Sequence, residues 1–216
     1  VKLLLGLELR HFKLISLSGI LGYGSVGRQV ARVTRALGMD VHVCTLHPKT
    51  SLDSRRSDAY TPAGLGDPDG ALPSKWFNAN AAEEFQQFLE NLDLLVIAIP
   101  LTEKTHGLIS RREFETLSRR RTFVSNVSRG AIIVAEDLKH ALDHDLIRGA
   151  AIDVTDPEPL PEESSLWKAK NLLITPHISG DSSAYVRRVF EVLKHNLIQL
   201  SEGKSLTNHV DRDEGY

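Results

Sequence analysis

The feature that most constrains this chain is a glycine turn, Gly22-Tyr23-Gly24-Ser25-Val26-Gly27, set between an apolar run over residues 15–21 and an amphipathic stretch over 25–37 that stops at Gly38. A G-x-G-x-x-G spacing alone is a weak signal. Between a strand and a helix, however, Gly22 permits the tight turn, Gly24 lets a phosphate approach the backbone, and Gly27 lets helix and strand pack closely. The amides of Ser25, Val26 and Gly27 then lie at a helix N-terminus, where unpaired N–H groups and the helix dipole favour an anion. The turn therefore implies a parallel sheet with crossover helices that binds the pyrophosphate of a dinucleotide.

The rest of the chain repeats the alternation. Apolar runs at 41–45, 94–99, 122–126, 150–153 and 172–174, with a short one at 75–78, alternate with helical stretches. Most runs are unbroken, as expected of strands buried on both faces by helices. The expected fold is α/β, a Rossmann-like doubly wound parallel sheet in a three-layer αβα arrangement. Asn80 is placed to cap a helix over 81–89, and Ser110-Arg111-Arg112-Glu113 has capping-box spacing. Val186, Val189, Phe190, Leu193, Leu197 and Leu200 put one apolar stripe on a last long helix, which is expected to pack on the sheet. Between Thr45 and Ala81 runs a Pro/Gly/Ser/Asp-rich stretch too long for a plain connection, hence a functional loop or an insertion.

Composition excludes several classes. With 26 basic and 28 acidic residues the formal charge is -2, which leaves no electrostatic footprint for nucleic acid or an anionic membrane. The apolar opening of the chain is followed at once by Glu8, Arg10, His11 and Lys13, so neither a membrane span nor a signal peptide is expected. The single cysteine, Cys44, rules out an intramolecular disulfide framework and reads as a buried strand thiol; a cytoplasmic location is the default. No metal site is expected.

A dinucleotide site selective for NAD ends its second strand in Asp or Glu, which holds the adenosine ribose hydroxyls and repels a 2′-phosphate. Here that position reads Val43-Cys44-Thr45-Leu46-His47, and Asp40 precedes the strand. With Thr45 in place of an acid, and His47, Lys49, Arg55 and Arg56 following, NADP is favoured slightly over NAD.

Three further segments join the glycine turn: Asn126-Val127-Ser128-Arg129-Gly130, Asp153-Val154-Thr155-Asp156-Pro157-Glu158-Pro159-Leu160-Pro161, and Thr175-Pro176-His177-Ile178-Ser179-Gly180. In order and spacing the set resembles the D-isomer-specific 2-hydroxyacid dehydrogenase family. Pro100-Leu101-Thr102 and Thr105-His106-Gly107-Leu108-Ile109 resemble that family's cofactor-facing loop, and the insertion at 66–70 resembles one in some fungal members. The likeness runs from about residue 19 to 208. It implies an NAD(P)-dependent oxidoreductase that moves a hydride between the nicotinamide and a 2-oxoacid or D-2-hydroxyacid, working as a homodimer.

The residue types suit that chemistry. His177 would exchange the proton of the substrate hydroxyl, since imidazole titrates near neutral pH. Glu158 would bond the other ring nitrogen and fix its tautomer. Arg129 would grip the substrate carboxylate through paired donors, a geometry lysine lacks. By the resemblance Asp153 would hold the nicotinamide carboxamide, and Pro100, Thr102, Thr105, Asn126, Ser128 and Gly180 would line the cofactor site with Thr45 and His47.

The resemblance also implies a second, substrate-binding domain that this sequence lacks. Residues 1–14 read as a linker or arm helix, 15–205 as the dinucleotide-binding domain, and 206–216 as a tail returning towards the missing domain. Two other readings stay open at this point: a dinucleotide-sensing, corepressor-like binding protein without turnover, and an interaction subunit that uses the fold to dimerise.

Overall fold

The computed structural model describes residues 17–57 and 59–210. The expected arm over 1–14, the start of the first strand and the end of the tail, 211–216, lie outside the described residues.

Seven strands form one parallel sheet: β1 (Leu17–Leu21), β2 (Asp40–Thr45), β3 (Lys75–Asn78), β4 (Leu94–Ile97), β5 (Phe123–Asn126), β6 (Gly149–Ile152) and β7 (Leu172–Ile174). The helices are α1 (Ser25–Ala36), α2 (Leu52–Arg55), α3 (Ala82–Leu89), α4 (Arg111–Leu117), α5 (Ala135–Asp143) and α6 (Tyr185–Ser201). The strand order is β3-β2-β1-β4-β5-β6-β7. The chain thus steps outward from β1 to β3, then returns to β4 on the other side of β1 and continues the opposite way. That reversal defines the doubly wound class and leaves a crevice beyond the C-terminal ends of β1 and β4, where such sheets bind ligands.

The core explains the pattern. Ile20, Val41, Val43, Leu95, Ile97 and Val124 on adjacent strands are fully buried, so alternating polar positions would have no solvent to face. Phe85, Phe88 and Leu89 of α3, Phe114 and Leu117 of α4, and Leu138, Ala141 and Leu142 of α5 cover these strands. Each fully buried Phe or Leu contributes on the order of 1.5–3 kcal/mol of transfer free energy. Gly27 is fixed by the same closeness: a Cβ there would sit 2.1 Å from the Gly22 carbonyl oxygen.

Several expectations need correction. β4 stops at Ile97 rather than at residue 99, although the Ala98 N–H still bonds the Leu21 carbonyl. β6 begins and ends one residue earlier than expected, which places Asp153 just past its end. Asp40 is the first residue of β2 rather than outside it, yet it stands at the end away from the crevice. Asn80 does not cap α3. The N-cap is Ala81 without a side-chain bond, and the Asn80 amide instead donates to the Leu46 carbonyl, tying down the loop after β2. At α4 the expected capping box is present, and the Ser110 N–H and hydroxyl both donate to Glu113.

The largest departure is α6. Its spacing is helical as expected, but none of its residues is buried, and Val186, Phe190, Leu197 and Leu200 are each more than half exposed. A stripe at 3–4 residue intervals specifies a helix with one face to cover; it does not specify the surface that covers it. No helix among the described residues is long and apolar enough to cross a membrane.

Candidate active site

Four segments leave the C-terminal ends of strands along the same edge of the sheet: residues 22–27 after β1 and, beyond β4, residues 127–130 after β5, 153–158 after β6 and 175–180 after β7. The parallel topology therefore gathers the motifs that the sequence scatters.

The glycine turn has the local chemistry for an anion. Gly24 is the N-cap of α1 and supplies no side-chain cap, and the first turn carries no acidic residue. A Cβ on Gly24 would meet nothing within 4 Å, so the space before this backbone is open to a ligand. Gly22, by contrast, has φ +95°, and a Cβ there would meet the Ala98 carbonyl oxygen at 2.5 Å. Ser25 and Val26 are exposed. These residues fit a dinucleotide pyrophosphate.

At the end of β2, Thr45 is buried and its hydroxyl donates to the His47 carbonyl at 2.7 Å, so Thr45 shapes the loop that would face the adenosine ribose. His47 is exposed. The two arginines counted on to favour a phosphate are placed differently from expectation. Arg55 lies over the Trp76 ring at 5.5 Å, and Arg56 sits 3.8 Å from both Asp53 and Asp69.

The Pro100–Thr105 turn is held from within, a feature the sequence shows only as small polar residues. Thr105 is buried, and its hydroxyl donates to the Pro100 carbonyl and accepts the Thr102 N–H, each at 2.8 Å. After β5, Asn126 organises the loop that carries Arg129. Its Oδ1 accepts from the Ser128 N–H (3.0 Å) and hydroxyl (2.7 Å), and its Nδ2 donates to the Arg129 carbonyl (2.9 Å). Asn126 and Ser128 are buried, whereas Arg129 is exposed and donates to the Ser128 carbonyl. Gly130 lets this loop press against the next one, since a Cβ there would be 2.0 Å from the Thr155 carbonyl carbon.

His177 and Glu158 meet. Nδ1 of the imidazole is 2.7 Å from Glu158 Oε1, and both side chains are partly exposed. A carboxylate against Nδ1 makes that nitrogen the donor and leaves Nε2 as the working atom. His177 has φ +54°, a left-handed conformation that costs a non-glycine residue about 1–3 kcal/mol and persists only where its surroundings enforce it.

Asp153 supplies that enforcement. Its backbone carbonyl accepts the His177 N–H at 2.8 Å, and its carboxylate accepts from the Thr175 hydroxyl (2.5 Å), the Ile178 N–H (2.9 Å) and the Ser179 N–H (2.8 Å). Burial raises the carboxyl's pKa, but these hydrogen bonds outweigh it and hold it at about 2. Asp153 thus anchors the loop on both sides of His177, a role absent from the sequence reading. Gly180 is exposed with open space around it.

The family model for the NAD-binding domain of D-isomer-specific 2-hydroxyacid dehydrogenases matches residues 72–179, half of the chain. The chain belongs to the D-isomer-specific 2-hydroxyacid dehydrogenase family. Among family members it is 30% identical over 198 residues to glyoxylate/hydroxypyruvate reductase A of Salmonella paratyphi B, covering 92% of this chain and 55% of that protein.

Solved structures agree. The NADPH-dependent glyoxylate/hydroxypyruvate reductase of Sinorhizobium meliloti, in complex with NADP and sulfate, superposes with a TM-score of 0.71 at 28% identity, covering 93% of this chain and 57% of that one. Phosphoglycerate dehydrogenase from Lactobacillus plantarum gives 0.63 at 31% identity, covering 91% and 56%. The chain spans about half the length of the curated relatives it matches.

Proposed function

We propose that residues 15–205 are the dinucleotide-binding unit of an oxidoreductase that moves a hydride between NAD(P)H and a 2-oxoacid or D-2-hydroxyacid. The observation that carries the reading is the 2.7 Å contact between His177 and Glu158 on the sheet edge that also bears the open glycine turn. An imidazole oriented there by a carboxylate can exchange a proton with a substrate hydroxyl, which supports turnover.

In this reading the amides of 24–27 hold the pyrophosphate and the loop after Thr45 faces the adenosine ribose. A bound dinucleotide supplies or accepts the hydride. Arg129 binds the substrate carboxylate, and His177, oriented by Glu158, passes its Nε2 proton to the keto oxygen in reduction and takes it back in oxidation. Pro100, Thr102, Thr105, Asn126, Ser128 and Gly180 shape the wall of the cofactor site, and Asp153 holds the His177 loop and the nicotinamide carboxamide.

NADP is the cofactor favoured. Thr45 rather than a carboxylate ends β2, and the Sinorhizobium meliloti relative binds NADP. Arg55 and Arg56 are engaged elsewhere, and His47 and Lys49 belong to the loop that would face a 2′-phosphate. The exposed stripe on α6 fits a unit that packs on further protein, a substrate domain or, in a homodimer, a second copy of the chain.

NADPH oxidation at 340 nm with glyoxylate and hydroxypyruvate, for the wild-type chain and His177→Asn, tests the proposal. Loss of the acid should lower the rate by about 10³-fold with NADPH affinity unchanged. Measurable turnover at equal rates in the two proteins would overturn it.

A further inference from the structure

The long stretch between β2 and β3 holds a buried polar cluster that the site described above does not use. Its centre is Asp67, in the Gly66-Asp67-Pro68-Asp69-Gly70 insertion. The Asp67 carboxylate accepts from the Tyr23 hydroxyl at 2.6 Å and from the backbone N–H groups of Ala71 and Leu72, each at 3.0 Å. Its carbonyl accepts from the Arg28 guanidinium at 2.5 Å, which also donates to the Arg55 carbonyl at 2.7 Å. One residue earlier, the Gly66 N–H donates to Gln29 on α1 at 2.7 Å.

Tyr23, Arg28 and Asp67 are each less than a tenth exposed. The Tyr23 ring lies 4.8 Å from the Arg28 guanidinium carbon and meets Trp76 edge-on at 5.0 Å. Burial, reinforced by Asp67, pushes the Tyr23 hydroxyl well above its ordinary pKa, so it stays a donor.

The positions of these partners matter more than their number. Tyr23 stands between the first two glycines of the turn, and Arg28 directly follows the third. The insertion therefore grips the glycine turn from both sides. The same segment begins with the Thr45–His47 loop at the ribose end of the site, so one stretch of chain bounds the turn and the ribose loop together. A buried carboxylate is costly unless its donors are in place, which makes the arrangement close to all-or-none.

We propose that Asp67 is a positioning residue for dinucleotide binding: by locking Tyr23 and receiving Arg28 it sets the placement of the pyrophosphate-binding turn, so that cofactor affinity depends on an insertion that need not touch the cofactor. The inference rests on the dinucleotide reading above.

The test titrates NADPH, by nicotinamide fluorescence, into the wild-type chain, Asp67→Asn, Tyr23→Phe, the double variant, and Phe114→Leu, a core change on α4 that lowers Tm without touching the clamp. Asp67→Asn sets an amide against the Tyr23 hydroxyl and Leu72 N–H and should raise the NADPH Kd about tenfold, with a smaller rise for Tyr23→Phe. The double variant should be no weaker than Asp67→Asn alone, because both changes break one contact. Phe114→Leu should lose Tm and keep its Kd.

Variants that lose Tm as Phe114→Leu does while binding NADPH like the wild type would overturn the proposal and leave the clamp a matter of stability alone. If Asp67→Asn does not fold, Tyr23→Phe, which keeps the ring packing, decides in the same way. A wild-type chain that fails to bind NADPH overturns the dinucleotide reading itself, and this inference with it.

Discussion

Glu158 and His177, 19 residues apart in sequence, are brought to 2.7 Å by the parallel pairing of β6 with β7, whose C-terminal ends release the two loops side by side. A carboxylate acceptor makes the contact charge-assisted, and it fixes which ring nitrogen faces outward. Glu158→Gln keeps the shape and removes the charge. The rate of NADPH-dependent glyoxylate reduction should fall by about 10- to 100-fold at an unchanged NADPH Kd, since the hydrogen bond weakened, worth roughly 1.5–3 kcal/mol, orients the imidazole and does not touch the cofactor. Steady-state kinetics beside a fluorescence titration check both halves of the statement.

Asp153 makes the site sensitive to acid. Its folded pKa, about 2, lies below the ordinary 3.8, so the stabilisation it gives is complete above 3.8 and is lost as pH falls from there towards 2. The Tm of the wild-type chain should therefore drop more steeply across this interval than that of Asp153→Asn, which has no such proton to take up. A thermal melt series in acid reads the difference. Asp153→Ala separates the residue's two proposed roles: freeing residues 175–179 lowers turnover, and loss of a carboxamide partner additionally raises the NADPH Kd.

Gly130 and Gly24 should respond in opposite ways to a side chain. A Cβ at Gly130 would lie 2.0 Å from the Thr155 carbonyl carbon, whereas one at Gly24 meets no protein atom within 4 Å. Backbone cannot yield as a flexible side chain can, so Gly130→Ala is expected to cost about 1–3 kcal/mol. In a chain of this size each kcal/mol is about 2–4 °C of Tm. Gly24→Val should melt within about 1 °C of the wild type on the same scale. Differential scanning calorimetry of the two variants makes the comparison.

Much of this was legible in the sequence because the relevant forces are local or periodic. The strands at 94–97 and 172–174 are unbroken apolar runs, and the turn at 22–27 is recognisable because no other residue fits where Gly22 and Gly27 stand. Asn80 misled because a side-chain amide beside a helix start can reach any nearby carbonyl, and here Leu46 across the sheet edge wins. The α6 stripe misled because amphipathicity shows that a face needs covering without showing what covers it. Nothing in the spacing of Asp153, Thr175 and Ser179, or of Tyr23, Arg28 and Asp67, shows that they share hydrogen bonds, since those contacts exist only once β1, β2, β6 and β7 are aligned.

Every role proposed for Arg129, Glu158 and His177 depends on a dinucleotide bound at the turn over 22–27. Titration of NADPH and NADH into the wild-type chain and Gly24→Val, followed by nicotinamide fluorescence, tests it most directly. The account predicts saturable binding to the wild type, tighter for NADPH than for NADH, and its abolition in a Gly24→Val protein that melts normally, because the valine side chain fills the space the pyrophosphate needs. Binding that survives Gly24→Val, or no binding of either nucleotide to the wild-type chain, would contradict it.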